Sequence, residues 1–504
     1  MKTIGRMALC GCALLYSLVA SAQTYTETAL LFSRSRPGGS ARIQGMGGVQ
    51  NSLGGDYSSA YSNPAGLGMY NRSEFTFSPA FNSNSTSSDY LGESTGDSKS
   101  RLNLPGLSFV FHTDKEGKLG FLGGTFGITF NRINDFNRSF TYQGTKTNNS
   151  VIDYFIQDAT GTDESQFNQG DFNYNTPTGL AYENYLISSQ AEYVGGDPTL
   201  YFSFVNGNPT LQQEEVETSK AQNQWSFSYG ANLSDKIYLG GGIGITSLNY
   251  KSKKTFNETF KNDTLSSLSL EENLSISGSG INATIGSIVR PIEFFQFGIS
   301  VTSPTSYQIT DNYSALMNST WNGFVYDQVK NIVLTDEDAS TDVLVTDYSL
   351  ATPFKLSGGA TFFIQKHGFI SADVDYLDYG KAKYSSNTNG VSFTEDNSDI
   401  KSLYKSVINY RVGGEYRFKD FRARAGYSFM PDPFKAPQNG VDRKISSYSV
   451  GFGYRKKNFF IDAAIIYSEG NTSYRPYRVN SPLSPLVQTA NKNTLVMFTL
   501  GFPF

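Results

Sequence analysis

The residues that most often do chemistry are few here and far apart. The two histidines, His112 and His367, each sit beside a short polar turn. General acid–base work needs its groups gathered, and a histidine zinc site needs more ligands than these. Cys10 and Cys12 fall at the extreme N-terminus, inside a stretch that reads as a removable leader, so no thiol is expected in the mature chain. That excludes a disulfide scaffold and a thiolate metal site. Asp373-Val374-Asp375 with Asp378 has the residue types of a calcium loop but not its spacing, and Asp336-Glu337-Asp338 reads as a solvated cluster. Gly240, Gly241, Gly242 and Gly244 have the composition of a phosphate-binding loop, yet no helix pattern follows, and close strand packing accounts for them. Neither catalysis nor a metal or cofactor is expected.

What remains is charge at every second position. Arg411, Glu415, Arg417, Arg422 and Arg424 alternate with Tyr410, Val412, Tyr416, Phe421, Ala423 and Ala425. Such a row lies on one face of extended chain. It can hold a ligand carboxylate, for which Arg411 and Arg424 are candidates, or it can pair as a charge ladder with Asp373 and Asp375 as partners. Asp373 and Asp375 themselves alternate with Ile370, Ala372, Val374 and Tyr376.

The elements that carry this alternation recur along the whole chain. Glu74–Asn82 and Leu102–His112 read as the first two strands, joined by a polar loop at 83–101. A third strand sets Leu122, Phe126, Ile128 and Phe130 against Thr125, Thr129 and Asn131, and its pattern breaks at 132–137. Strands continue through Trp225–Leu233, Ile237–Ile245, 273–290, 293–309, 353–364 and 369–383, then through four more carrying Tyr410, Phe421, Tyr448 and Phe459. The last strand ends Val496, Phe498, Leu500, Phe502, Phe504, with Phe502 and Phe504 as a candidate assembly signal. Short turns alternate with long polar stretches at 143–223, 251–271 and 310–350, the first read as one large extracellular loop. The count is about 14, and an even number returns the C-terminus to the side of the N-terminus.

Composition agrees with membrane strands. Phe (38) and Tyr (32) stand against 2 Trp, and Gly reaches 49. Mean hydropathy is only −0.34, as expected where every second residue faces a polar lumen. Lys2 and Arg6, the apolar run Met7–Ala20 and the small residues Ala20-Ser21-Ala22 predict a signal peptide over 1–22. Leu9-Cys10-Gly11-Cys12 resembles a lipoprotein cleavage box only weakly, and lipidation is not expected. Without Lys2 and Arg6 the chain carries 39 basic and 45 acidic residues in no long blocks, which argues against a nucleic-acid partner.

Gly45-Met46-Gly47-Gly48 is followed by Ala60-Tyr61-Ser62-Asn63-Pro64-Ala65-Gly66-Leu67. Further segments follow in order: 280–282 through Arg290-Pro291, Gly298 to Ser303-Pro304, Thr352-Pro353, 372–374, 414–417 and 424–427. With these the sequence resembles the FadL/TodX-type outer-membrane transporters of long-chain fatty acids and other hydrophobic compounds. The resemblance spans nearly the whole chain; the loop at 143–223 departs from it in length and composition. It implies an all-β, transmembrane antiparallel barrel at 68–504 in the Gram-negative outer membrane, with an N-terminal plug, or hatch, at 23–67 inside the lumen. Gly47, Gly48, Asn63, Pro64 and Ala65 would belong to that hatch.

The same resemblance implies passive uptake. Extracellular loops capture a hydrophobic molecule, a lumen pocket above the hatch holds it, and a gap in the wall releases it sideways into the membrane. Leu30, Leu31 and Phe32 are candidate pocket residues, and Arg132, Ile133, Asn134 and Asp135 mark the candidate gap. Expected partners are the hydrophobic ligand, outer-membrane lipid and lipopolysaccharide, and the barrel assembly machinery, for a monomeric barrel. An alternative reading is a docking or shuttle subunit of a protein secretion system.

Overall fold

The computed structural model describes residues 24–115, 120–388, 390–480 and 484–504, so the signal peptide predicted at 1–22 lies outside them, as does part of the turn after the second strand. Fourteen antiparallel strands form the wall. They are β1 (Glu74–Tyr90), β2 (Glu93–Asp114), β3 (Phe121–Asp135, then Arg138–Gly144) and β4 (Leu211–Ser219, then Ala221–Leu233). Next come β5 (Ile237–Thr259), β6 (Leu265–Ile292), β7 (Phe295–Thr302, then Ser306–Asp327) and β8 (Ile332–Ser340, Leu344–Ala351, Lys355–Ile364). The wall ends with β9 (Gly368–Asp378, then Lys383–Ser385), β10 (Ser406–Phe418), β11 (Phe421–Met430), β12 (Ile445–Arg455), β13 (Phe460–Tyr474) and β14 (Val487–Pro503). Each pairs with the next over at least part of its length, and β14 returns to β1 through partners such as Phe75 and Phe502, so the sheet closes on itself. No helix among the described residues is long and apolar enough to cross a membrane.

Side chains obey the expected alternation. Ile370, Val374 and Tyr376 of β9 face outward and are exposed, while Ser371, Asp373 and Asp375 are buried inside. Outward Trp225, Phe227, Ile243, Ile245, Ile281 and Ile285 belong to a continuous apolar band, where an unpaired charge would be costly. Above Ile245 and Ile281 the outer face turns polar, with Ser247, Asn249, Lys251 and Lys253 on β5 and Ser277 and Ser279 on β6. That change marks the outer edge of the membrane.

Three stretches read as loops are strand instead. The segment 83–101 is a hairpin turned at Leu91-Gly92, both with positive φ, as a two-residue turn of that hand requires. The segment 251–271 is the top of β5 and β6, and 310–350 is the top of β7 and much of β8. Outside the membrane both faces of a strand can be polar, so the period-two signal that betrays it is lost. Strand also trims the large loop at both ends, leaving 145–210. There α4 (Val151–Ala159) and α5 (Pro177–Glu183), followed by α6 (Gln190–Val194), stand over the wall, and the first two pack with Phe167 and Tyr201 onto Phe256, Leu268, Leu270, Met317 and Trp321.

The N-terminal segment carries α1 (Tyr25–Ser33), α2 (Ala41–Gln44), α3 (Ser59–Ser62) and a 3-10 turn at Pro64–Met69. Inward groups around the whole ring hold it. The Ala41 N–H donates to Thr499 Oγ1 (2.8 Å), Gly47 N–H to Ser449 Oγ (2.8 Å), and Asn63 Nδ2 to Ser287 O (3.2 Å). Asn51 Nδ2 donates to Gly298 O (3.1 Å), and Ser228 Oγ to Ala60 O (2.6 Å). Groups on opposite sides of a closed cylinder can bind one segment only from within it.

Candidate functional site

Two wall glycines explain how tightly the segment sits. A Cβ on Gly240 would lie 2.3 Å from Pro64 C, and one on Gly426 would lie 2.1 Å from Met46 C. The glycines of β5 thus admit backbone from the N-terminal segment as well as from neighbouring strands. Asn63 accepts from the Ala65 N–H (3.2 Å) and donates to Asn51 O (2.7 Å), so the Asn-Pro-Ala run locks the segment onto itself and onto β6. Gly47 and Gly48 both have positive φ, and Gly47 presses on the backbone of Tyr427.

Apart from Arg422, which donates to the carbonyls of Lys419 and Phe421, the charge row proves to be a set of ion pairs. Arg411 Nη2 donates to Asp375 Oδ1 (3.0 Å), with Asp373 at 3.7 Å. Asp373 Oδ2 in turn accepts from the backbone N–H groups of Gln50 (2.7 Å) and Asn51 (2.9 Å). Arg424 bridges Glu415 (2.8 Å) and Asp462 (2.6 Å), and Glu415 reaches Arg42 of the N-terminal segment at 3.7 Å. Arg411 and Arg424, candidates for a ligand carboxylate, are therefore engaged with wall carboxylates. A buried charge is tolerated when paired in this way.

Leu30, Leu31 and Phe32 lie on α1, which projects into an aromatic chamber above the rest of the segment. Phe32 packs edge-on to Phe136 (5.9 Å) and Tyr250 (6.1 Å), and Tyr25 does the same to Tyr348 (5.3 Å) and Phe393 (4.9 Å). Tyr307, Tyr384, Tyr404 and Phe434 complete the walls, with Leu30 and Leu31 half-buried among them. Tyr404 OH donates to Thr26 O (2.9 Å), and Thr28 Oγ1 lies 2.8 Å from Tyr384 OH. The pocket expected above the hatch is thus filled by the chain's own helix. Tyr250 and Tyr348 carry no signal of their role in the sequence, because they lie at or beyond the membrane edge on strand tops that read as loops.

Arg132, Ile133, Asn134 and Asp135 mark a defect in the wall. The β2–β3 ladder stops at Gly106↔Asn131, and β3 bulges against β4 between Arg132 and Asn134. Pro105 precedes Gly106, and Pro79 breaks the register of β1 at the same height. Proline has no N–H to give a ladder, a signal that was available in the sequence. Beyond the defect polar side chains replace the ladder. Asn103 Nδ2 donates to Asp135 Oδ2 (3.2 Å), Arg101 Nη1 to Asn137 Oδ1 (2.8 Å), and Asn84 Nδ2 to Asn137 O (2.7 Å).

Higher still, the wall folds face to face. Tyr90, Tyr474 and Val487 of β1, β13 and β14 pack on Phe140, Tyr142 and Val216 of β3 and β4. Between the layers Glu214 accepts from Tyr142 OH (2.6 Å) and Tyr474 OH (2.9 Å). Glu258 accepts from the Val151 N–H (2.9 Å) and Gln212 Nε2 (2.7 Å). Burial pushes both carboxyls from 4.5 up to about 7, against the pull of Lys254 on Glu214. A folded pKa above the unfolded one stabilises fully below about 4.5, and that contribution is lost as pH rises through about 7. Hydrogen exchange at 138–144 and 211–219, corrected for intrinsic rates, is therefore expected to speed up from pH 5 to pH 9. The double variant Glu214→Gln, Glu258→Gln should lose that dependence; the same slope in both proteins refutes the account.

A closed antiparallel cylinder with an apolar outer band and a charged, hydrogen-bonded interior is an outer-membrane β-barrel. No protein-family model and no curated protein matches the chain. Solved structures do. A Pseudomonas aeruginosa FadL homologue is 11% identical, over 93% of this chain and 99% of that one, with a TM-score of 0.55. The Pseudomonas putida toluene transporter TodX is 13% identical, over 93% and 99%, with a TM-score of 0.52. The chain has the fold of the FadL-type barrels.

Proposed function

We propose that this barrel is an outer-membrane channel for passive uptake of hydrophobic small molecules such as long-chain fatty acids. The observation that carries the reading is the aromatic chamber that the strand tops, with Phe393, Ile400 and Tyr404, form around the first helix of the N-terminal segment. Transfer of apolar surface from water into such a chamber is favourable at about 25 cal/mol per Å². The toluene transporter TodX, which shares the fold, supports a cargo of this class. The segment 23–67 serves as the hatch, and α1 holds the chamber until cargo takes its place. Release runs sideways between β2 and β3 at 132–135, where those two strands share no ladder. Outer-membrane lipid contacts the apolar band, lipopolysaccharide the polar edge above it, and outward-facing Phe502 and Phe504 serve the assembly machinery; the barrel acts as a monomer.

Mass spectrometry of molecules retained by gently purified protein tests the reading, together with uptake of a labelled apolar compound into proteoliposomes. Near-stoichiometric apolar ligand and uptake above empty vesicles are expected; absence of both overturns it. The helical cap at 145–210 is anchored by a core shared with the strand tops, so that it holds a fixed surface outward, which favours the second reading, a docking subunit in secretion. Specific co-purification of secretion partners, without retained apolar ligand, would decide for that alternative.

A further inference from the structure

At its periplasmic end, opposite the cap, the barrel closes in short turns whose charge is uneven. The turn regions 365–368, 417–422 and 455–458 hold seven basic residues and one acidic residue, Asp420. The chain after its leader, by contrast, has 39 basic against 45 acidic residues. Across the ring the described turn residues balance: Lys115 stands with Asp114, Lys236 with Asp235 and Arg290 with Glu293.

The three basic turns form one arc. The Arg417 N–H donates to His367 O (2.7 Å) and the Arg455 N–H to Asp420 O (2.9 Å), which joins each turn to the next. Arg72, just before β1, extends the arc by donating through Nη1 to Lys457 O (2.9 Å). Arg417 and Arg455 turn inward to Glu415 and Asp462, and Lys456 pairs with Asp420. Lys366, Lys419, Arg422, Lys457 and Arg72 are left over. Among the described residues none of these five has a carboxylate oxygen within 4.0 Å, and Arg422 donates only to the carbonyls of Lys419 (2.7 Å) and Phe421 (2.8 Å).

This charge leans on the lipid face. Lys419 Nζ lies 5.5 Å from the ring centre of Phe418, and Lys456 Nζ 5.5 Å from that of Tyr454. The rings continue as a belt, since Phe421 packs against Phe452 (5.7 Å) and Tyr454 (5.3 Å), and Tyr454 against Phe459 (6.1 Å). Phe418, Phe421, Phe452 and Phe459 are all exposed on the outer face. Aromatic belts of this kind sit at the level of the lipid head groups. Cations set directly on the belt therefore meet lipid phosphates, and a periplasmic protein would have to reach past those head groups to touch them.

We propose that this arc binds an anionic phospholipid of the periplasmic leaflet, with Lys419, Arg422 and Lys457 on its phosphate and the Phe421, Phe452 and Phe459 rings under its acyl chains. The site is independent of the cargo reading. A zwitterionic lipid brings its own cation to the same place and gains less from it.

Titration of the full-length barrel in dodecyl maltoside with phosphatidylglycerol and phosphatidylcholine of the same acyl chains, read as lipid adducts by native mass spectrometry, tests the assignment. Phosphatidylglycerol should bind at least about tenfold more tightly than phosphatidylcholine. The triple variant Lys419→Gln, Arg422→Gln, Lys457→Gln should bring the two lipids level, whereas Lys115→Gln with Lys236→Gln, across the ring, should keep the preference. Lys419→Arg with Lys457→Arg should keep it as well, and all the variants should retain the heat-modifiable mobility of a folded barrel. Equal binding of both lipids by the wild-type barrel, or an undiminished preference in the triple variant, overturns the site. Displacement of phosphatidylglycerol by glycerol phosphate or by poly-glutamate at equal concentration overturns it too, and assigns the cations to a free phosphate or to an acidic periplasmic macromolecule.

Discussion

Asp373→Ala is expected to detach the N-terminal segment from the wall while the cylinder stays closed. Asp373 is buried, accepts from the Gln50 and Asn51 N–H groups and faces Arg411. Removing it leaves two backbone donors and part of a guanidinium charge without a partner. Breaking one member of such a buried set costs about 3–5 kcal/mol, which multiplies the opened population by roughly 10² to several times 10³. The ladders of β8, β9 and β10 do not use that side chain, so heat-modifiable migration should persist. Protease cleavage within 24–70 should rise sharply. Asp373→Asn, which keeps an acceptor but not the charge, should fall between the two. Unchanged protection in Asp373→Ala would show that the segment is held elsewhere, by contacts such as Ala41 to Thr499 and Asn63 to Ser287.

The second large effect concerns the defect in β3. Deleting Ile133, Asn134 and Asp135 removes the bulge and the carboxylate that gathers Asn103 and Arg132, drawing Arg138 down toward the ladder. With the wall continuous, cargo faces an intact row of backbone hydrogen bonds. Uptake into proteoliposomes should drop to that of empty vesicles, while folding and insertion remain normal. Uptake at the wild-type rate would place the exit somewhere else.

The strand count was legible because burial inside a lumen and contact with lipid impose opposite demands on neighbouring residues. Ile370 to Tyr376 and Tyr410 to Phe418 show it without ambiguity, and their inward carboxylates and arginines pair as their spacing requires. Past the membrane edge that contrast disappears. Lys251, Asn257 and Glu271 are solvated on the outer face, so long strand tops carry a loop-like composition. The chamber was hidden for the same reason, since Tyr250, Tyr307, Tyr348 and Tyr384 become neighbours only when those tops are paired. Position 132–135 was legible from lost alternation, and Pro79 and Pro105 set the height of the break on the adjacent strands. That α1 occupies the chamber depends on the path of a whole segment through the lumen, which no local pattern encodes.

The polar strand tops also fix how far the molecule stands out from the cell. From Ile245 to Thr259, β5 continues past the lipid edge; at about 3.3 Å per residue and a tilt of about 40° this is a rise of roughly 35 Å. The helical cap rides on that tower. A macromolecule approaching from that side therefore meets the cap well before it can reach the lipid-embedded cylinder.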